Sequence, residues 1–182
     1  MSAVFIEKNI SFFDESRKIS VDNVMTWTKE TKEYVYRSLK RGVAKLENNE
    51  QLDMYNHAYG RMHKTKLNEC FKTINDLHAE LNAKDIQVID YGCGQGLGSI
   101  VFIDFIKNYS INFTISQVTL IEPSEIALQR ASKCANDCLK KIGQNQNVLK
   151  ISKTIDQLDS QDLSTKPKSI KIHILSNILD ID

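Results

Sequence analysis

The stretch Val88-Ile-Asp-Tyr-Gly-Cys-Gly-Gln-Gly96 decides how this chain is read. A short apolar run, Ile86-Gln-Val-Ile-Asp90, ends in a carboxylate and meets glycines at alternate positions. The chain holds only 7 glycines, and four of them fall at 92, 94, 96 and 98, so the clustering is functional punctuation rather than composition. An apolar run that breaks into glycines reads as a buried strand turning into a helix. Glycine in that turn permits positive φ and lets a ligand approach without obstruction by Cβ. The helix start beyond it offers unpaired N–H groups and positive potential. A dinucleotide site requires Gly-x-Gly-x-x-Gly. Counted from Gly92 the sixth position is Leu97, and from Gly94 it is Ser99, so that pattern is absent. No Gly-Lys-Ser/Thr follows to make a P-loop. Asp90 would repel a pyrophosphate and attract a cation.

Working outward from the turn, strands and helices alternate. Leu97 to about Tyr109 is a helix, apolar on most of its circumference. Gln117-Val-Thr-Leu-Ile-Glu122 is a second strand, again ending in a carboxylate. Pro123 stops it, and Ser124 caps a helix that runs to Ile142 with Gly143 at its end. Asn147 to Ser152 is a weaker third strand, residues 157–169 are a polar loop or short helix, and Ser169 to Leu175 is a fourth strand. The order β-α-β-α-β-x-β implies a parallel sheet covered by helices. Before Lys84 the signals are helical. Val35, Leu39, Val43 and Leu46 suggest one helix from Thr28 to about Asn48, and Leu67, Cys70, Phe71, Ile74, Leu77 and Leu81 a second, tighter stripe. The chain therefore divides into a helical extension or cap, 1–84, and a sheet domain, 85–182.

The sheet domain resembles the class I S-adenosylmethionine-dependent methyltransferases. Their first motif ends the first strand in an acidic residue and Gly-x-Gly-x-Gly, matched by Asp90-Tyr-Gly92-Cys-Gly94-Gln-Gly96. Their second strand ends in an acidic residue, matched by Glu122 in Leu120-Ile-Glu-Pro123. The resemblance covers roughly residues 86–182. It implies an α/β, Rossmann-like parallel sheet of order 3-2-1-4 behind the N-terminal helical extension, and S-adenosylmethionine as cofactor. It further implies that Asp90 meets the methionine ammonium, directly or through water, and that Tyr91, Gly92, Cys93, Gly94 and Gly96 line the methionine and ribose. On the same basis Glu122 binds both ribose hydroxyls, Pro123 packs on the adenine edge, and Ser176 and Asn177 contact the methionine end and substrate. Thr154, Ile155 and Asp156, after the third strand, are the candidates beside adenine. Class I domains continue with three further strands, so the resemblance leads to the expectation that the chain is truncated, or that a partner covers its fourth strand.

Composition narrows the field. Lys and Arg total 24 against 23 Asp and Glu, a net charge of +1 that offers no argument for nucleic acid or an acidic membrane. The basic positions Lys29, Lys32, Lys40, Arg41 and Lys45 are interspersed with Glu30, Glu33 and Glu47, which reads as a solvated helix face. No run approaches the length of a membrane span, the N-terminus lacks the basic flank of a secretory signal, and Cys70, Cys93, Cys134 and Cys138 form no Cys-x-x-Cys pair. A cytoplasmic protein with reduced thiols and no metal is the expectation.

The acceptor is not written in the motifs. Ser176-Asn-Ile-Leu replaces the Asn/Asp-Pro-Pro-aromatic of transfer to a base or amide nitrogen, and no Pro-Cys follows a strand, which leaves a small molecule, or an acceptor that uses other groups. Tyr59 and His63, in the polar aromatic stretch Tyr55 to Lys64, are candidates to line the site from the N-terminal side, and His173 reads as a sheet-face histidine. Two readings stay open: a methyltransferase, or a non-catalytic S-adenosylmethionine-binding module that regulates another chain.

Overall fold

The computed structural model describes residues 11–74, 77–82, 84–108, 112–144 and 147–176, the side chain of His78 excepted. Helices α1 (Phe12–Met25), α2 (Lys29–Ser38), α3 (Asn49–Thr73) and α4 (Leu77–Leu81) precede strand β1 (Lys84–Tyr91). Then follow α5 (Leu97–Asn108), β2 (Phe113–Ile121), α6 (Glu125–Lys141), β3 (Asn147–Ile151) and β4 (Ile170–Leu175). All pairings among the described strands are parallel and the strand order is β3-β2-β1-β4, the expected Rossmann-like order.

Alternation along the strands divides the sheet into two unequal faces. Ile86 and Val88, with Ile115, Val118, Leu120 and Ile174, join α5 and α6 in the main core. Ile89, Ile121 and Ile151 point the other way into a small cluster with Tyr91 and Leu158. Helix α5 is buried throughout from Leu97 to Ile106, because α1 and α3 cover the side that the sheet does not. Phe12, Phe13, Leu67 and Phe71 from those helices belong to the same core as Val88 and Leu120, so cap and sheet share it.

A buried carboxylate anchors α1. Asp104 of α5 accepts the N–H groups of Phe12 (2.8 Å) and Phe13 (3.0 Å), satisfying two donors that a helix start leaves unpaired. Ser11 caps the same end by accepting from Asp14 N. Asp104→Ala is expected to cost about 2–3 kcal/mol through the loss of both acceptors. Urea unfolding measures the loss, and hydrogen exchange should rise first over residues 12–25.

The single helix expected over 28–48 is not formed. Lys40, Arg41 and Gly42 take positive φ of 46°, 62° and 96°, which ends α2 and a following 3-10 turn (Lys40–Gly42). Asn48 then starts α3 by accepting from Gln51 N. The apolar spacing misleads because Val35, Leu39 and Leu46 do reach one cluster, but by a turn, while Val43 stays exposed. The aromatic stretch Tyr55 to Lys64 accordingly lies within α3 and not ahead of it. No helix among the described residues is long and apolar enough to cross a membrane.

Candidate functional site

The site forms where β1 and β2 end. Asp90 points to the α5 side, and its Oδ2 accepts the Ser99 N–H (2.9 Å) and the Ser99 hydroxyl (2.7 Å). Oδ1 accepts no hydrogen bond among the described residues. Burial pushes the Asp90 carboxyl up to about 6, the nearby Glu122 charge adds to this, and the two Ser99 hydrogen bonds oppose it. Cys93 N–H donates to Ile121 O at 2.9 Å, which pins the turn to the end of β2.

Three glycines of the turn do different work. Gly92, Gly94 and Gly96 take φ of 56°, 51° and 78°. A Cβ on Gly96 would lie 3.0 Å from Ala131 Cβ and 3.1 Å from its Cα, so that glycine lets α6 close on the turn. At Gly94 a Cβ would meet nothing within 4 Å, so the open side of the turn is there. Glu122 bridges the turn to α6: its Oε2 accepts Gly94 N–H (3.0 Å) and its Oε1 accepts Ser124 N–H (2.8 Å). Burial raises the Glu122 carboxyl above the usual range, against those two bonds and the pull of Lys45.

Asp90, Gly92, Cys93 and Gly94 line a cavity of about 40 Å³ together with Ser176 and, from α3, Tyr55 and His63. The Tyr55 hydroxyl lies 3.1 Å from His63 Nε2, and the two rings stack at 5.7 Å with an interplanar angle of 9°. Burial drives the His63 imidazole down to about 4, so it is neutral at physiological pH, and lifts the Tyr55 phenol to about 12. Burial likewise pushes the Cys93 thiol up, so it is no nucleophile.

Other candidates lie elsewhere. Tyr91 projects to the opposite sheet face, where its ring stacks on His173 at 5.8 Å and its hydroxyl sits 3.0 Å from His173 Nδ1. Strand alternation makes this inevitable once Asp90 faces the helices. Tyr59 stacks on Tyr36 and lies tilted against Tyr55, outside the cavity lining. Thr154 precedes the 3-10 turn Ile155–Gln157 and its N–H donates to Gln157 Oε1 (3.0 Å), and Asp156 is exposed. Pro123 is half-buried between Glu122 and Ser124, and Asn177 lies outside the described residues.

Sequence reading singled out Tyr59 and His63 from the stretch that begins at Tyr55, and passed over Gln95. Tyr55 was detectable, since it stands eight residues before His63, about two helical turns. Gln95 carried no signal of its own. Its Nε2 donates to Leu52 O (2.8 Å) and its Oε1 accepts from Arg130 (3.2 Å), contacts that only the tertiary fold creates.

No family model matches the chain, and no curated protein matches it. Among solved structures the chain is similar to SCL7 of Oryza sativa, at 17% identity and a TM-score of 0.39, covering 79% of this chain and 51% of that one. It is also similar to the plantazolicin methyltransferase BpumL in complex with SAH, at 17% identity and a TM-score of 0.32, covering 82% and 46%. BpumL in complex with a monoazolic desmethylPZN analog and SAH gives 18% identity and a TM-score of 0.32, covering 78% and 46%. The chain thus spans about half the length of the solved structures it matches.

Proposed function

We propose that this chain binds S-adenosylmethionine and is the cofactor-binding part of a methyltransferase acting on a small molecule. The observation that carries the reading is the pair of strand-end carboxylates, Asp90 and Glu122, on either side of a glycine turn that is open at Gly94. The donor set fits the ligand. Asp90 offers a buried carboxylate oxygen to an ammonium, and Glu122 can exchange its two backbone partners for two ribose hydroxyls. Gly94 gives the ligand close approach because no Cβ stands in the way. The cofactor, when bound, supplies an electrophilic methyl group on sulfur.

This chain's own part is then mostly orientation, since an in-line displacement gains chiefly from alignment. His63 and Tyr55 line the same cavity as Asp90 and are both uncharged at neutral pH. They can hold a hydroxyl or amine by hydrogen bonds without competing for the cation beside Asp90. His63→Ala is expected to lower ligand affinity or transfer about tenfold, the loss of one good hydrogen bond in a dry site. Unchanged calorimetry and kinetics would reject the role.

The reading extends to the sheet edge. Strand β4 pairs only with β1 among the described strands, and Leu175 at its end is half exposed. A further segment of the protein or a partner chain is proposed to pair there, as an open apolar edge is a liability. The free thiols of Cys70, Cys93, Cys134 and Cys138 suit a reducing, cytoplasmic setting. Titration calorimetry of the full-length gene product with S-adenosylmethionine tests the central claim. One-to-one binding supports it, and no heat of binding at millimolar ligand removes it. A gain of 14 Da (the mass of CH₂) on a candidate acceptor would separate an enzyme from a binding module.

A further inference from the structure

Ligand sites for small molecules occupy about 300–1,000 Å³. The cavity at Asp90 has about 40 Å³, room for a water or so. On one side the space is bounded by α3, whose Tyr55 and His63 line it. How α3 is held there therefore bears on how much room the site has.

The two halves of α3 are anchored differently. Leu67 and Phe71, in its second half, are in the main core, with Phe71 5.5 Å from the rings of both Phe102 and Phe105. Leu52 and Met54, in its first half, belong to a separate cluster with Val24, Val35, Leu39 and Leu46, to which α6 contributes Ala127. This first half is tied to the site by polar contacts. Gln95, within the glycine turn, donates to Leu52 O at 2.8 Å. Arg130 of α6 donates to Asp53 Oδ1 (2.5 Å), Gln95 Oε1 (3.2 Å) and Asn49 Oδ1 (2.9 Å). Asp53 is buried and also accepts from Ser20 (3.1 Å) and Asn23 (2.8 Å) of α1. One guanidinium thus joins the turn, α3 and α6, and through Asp53 reaches α1.

We propose that Asp53, Arg130 and Gln95 form a latch that positions the glycine turn and holds the first half of α3 across the Asp90 site, so that release of this latch governs ligand entry. The inference rests on the function proposed above. The latch is suited to the task because it is compact and charge-assisted, and because Arg130 and Asp53 lie outside the lining of the Asp90 cavity, which Gln95 shares. Its charged bonds are strong inside the protein yet replaceable by water when Arg130, whose side chain is one-quarter exposed, swings out.

The test uses the full chain with S-adenosylhomocysteine as probe. The only tryptophan, Trp27, packs on the cluster that includes Leu52 and Met54, so its emission reports movement of this region. In stopped-flow mixing, the wild-type rate should level off with ligand concentration at the opening rate. Arg130→Gln and Gln95→Ala should each raise that plateau at least tenfold, with Arg130→Lys in between. A linear wild-type concentration dependence, or an unchanged plateau in both variants, overturns the proposal. Gln95→Ala leaves the Asp53–Arg130 pair in place, which guards against misfolding of the Arg130 variants. Hydrogen exchange without ligand gives an independent reading. Amides of 49–63 should exchange at least tenfold faster in both variants while those of 86–89 and 118–121 do not change, and unchanged exchange at 49–63 also overturns it. If no protein binds the probe, the proposed function falls, and the exchange result decides the latch by itself.

Discussion

Asparagine in place of Asp90 is expected to make the protein more stable at neutral pH and far weaker in binding a cationic ligand. The wild-type carboxyl sits fully buried, and burial raises it from 3.8 to about 6. A carboxyl raised on folding contributes stability that is fully present below 3.8 and is lost as pH rises through about 6. Two units correspond to about 2–3 kcal/mol of cost to the ionised form well above that pH. Asparagine keeps the shape and an acceptor for Ser99 while removing the charge, so it should recover most of that cost. Urea unfolding at pH 5 and pH 8 checks the sign: the stability gained by Asp90→Asn over wild type should grow between them, a difference from which the opposite contribution of His63, common to both proteins, drops out. Binding should move the other way. Ionised Asp90 attracts an ammonium, so wild-type affinity should tighten as pH rises through about 6. Asp90→Asn should lose about 10–100-fold in affinity, the worth of a charge-assisted hydrogen bond, and lose this pH dependence. A variant that weakens binding with no gain in stability would mean that Asp90 is not held at this cost.

Gly96→Ala is expected to cost about 2–4 kcal/mol, and Gly94→Ala only about 1 kcal/mol, although both glycines have positive φ. The difference is what a methyl group meets. At Gly96 it meets the Cα and Cβ of Ala131 at 3.1 and 3.0 Å, and α6 must move away. At Gly94 it meets open space, so only backbone strain remains. The functional order should be reversed at equal folded fraction: Gly94→Ala should weaken binding of S-adenosylmethionine more than its small loss of stability suggests. Thermal unfolding and calorimetry on both variants read the two quantities. Equal destabilisation would remove the distinction between a packing glycine and a ligand-facing one.

The parts of the fold that were legible in the sequence are those governed by local patterns. Asp90 and Glu122 end apolar runs, and an apolar strand must stop where the chain leaves the sheet. Ser124 and Gly143 mark the ends of α6, because capping and left-handed termination are properties of single residues. The break at 40–42 was hidden, because Val43 continues a helical spacing that its own exposure shows to be accidental. Tyr91 was read into the site because it lies within the motif, yet alternation places its ring with His173 on the far face. The register of 154–156 was likewise beyond local pattern, since a loop's path depends on what it packs against.

The sequence by itself determined a parallel sheet and a glycine turn between two carboxylates, while the strand order 3-2-1-4 came from the family resemblance. Strand ends, helix caps and glycine conformations are short-range, and they act wherever the residues occur. Only the tertiary structure decided that Tyr55 and His63 share a cavity with Asp90, that Asp104 holds α1, and that Arg130 joins Gln95 to Asp53. These pairings span 35 to 92 residues where they are hydrogen-bonded across elements. They exist because α1 and α3 fold back over α5, whose apolar circumference needs a second cover once the sheet has buried one side.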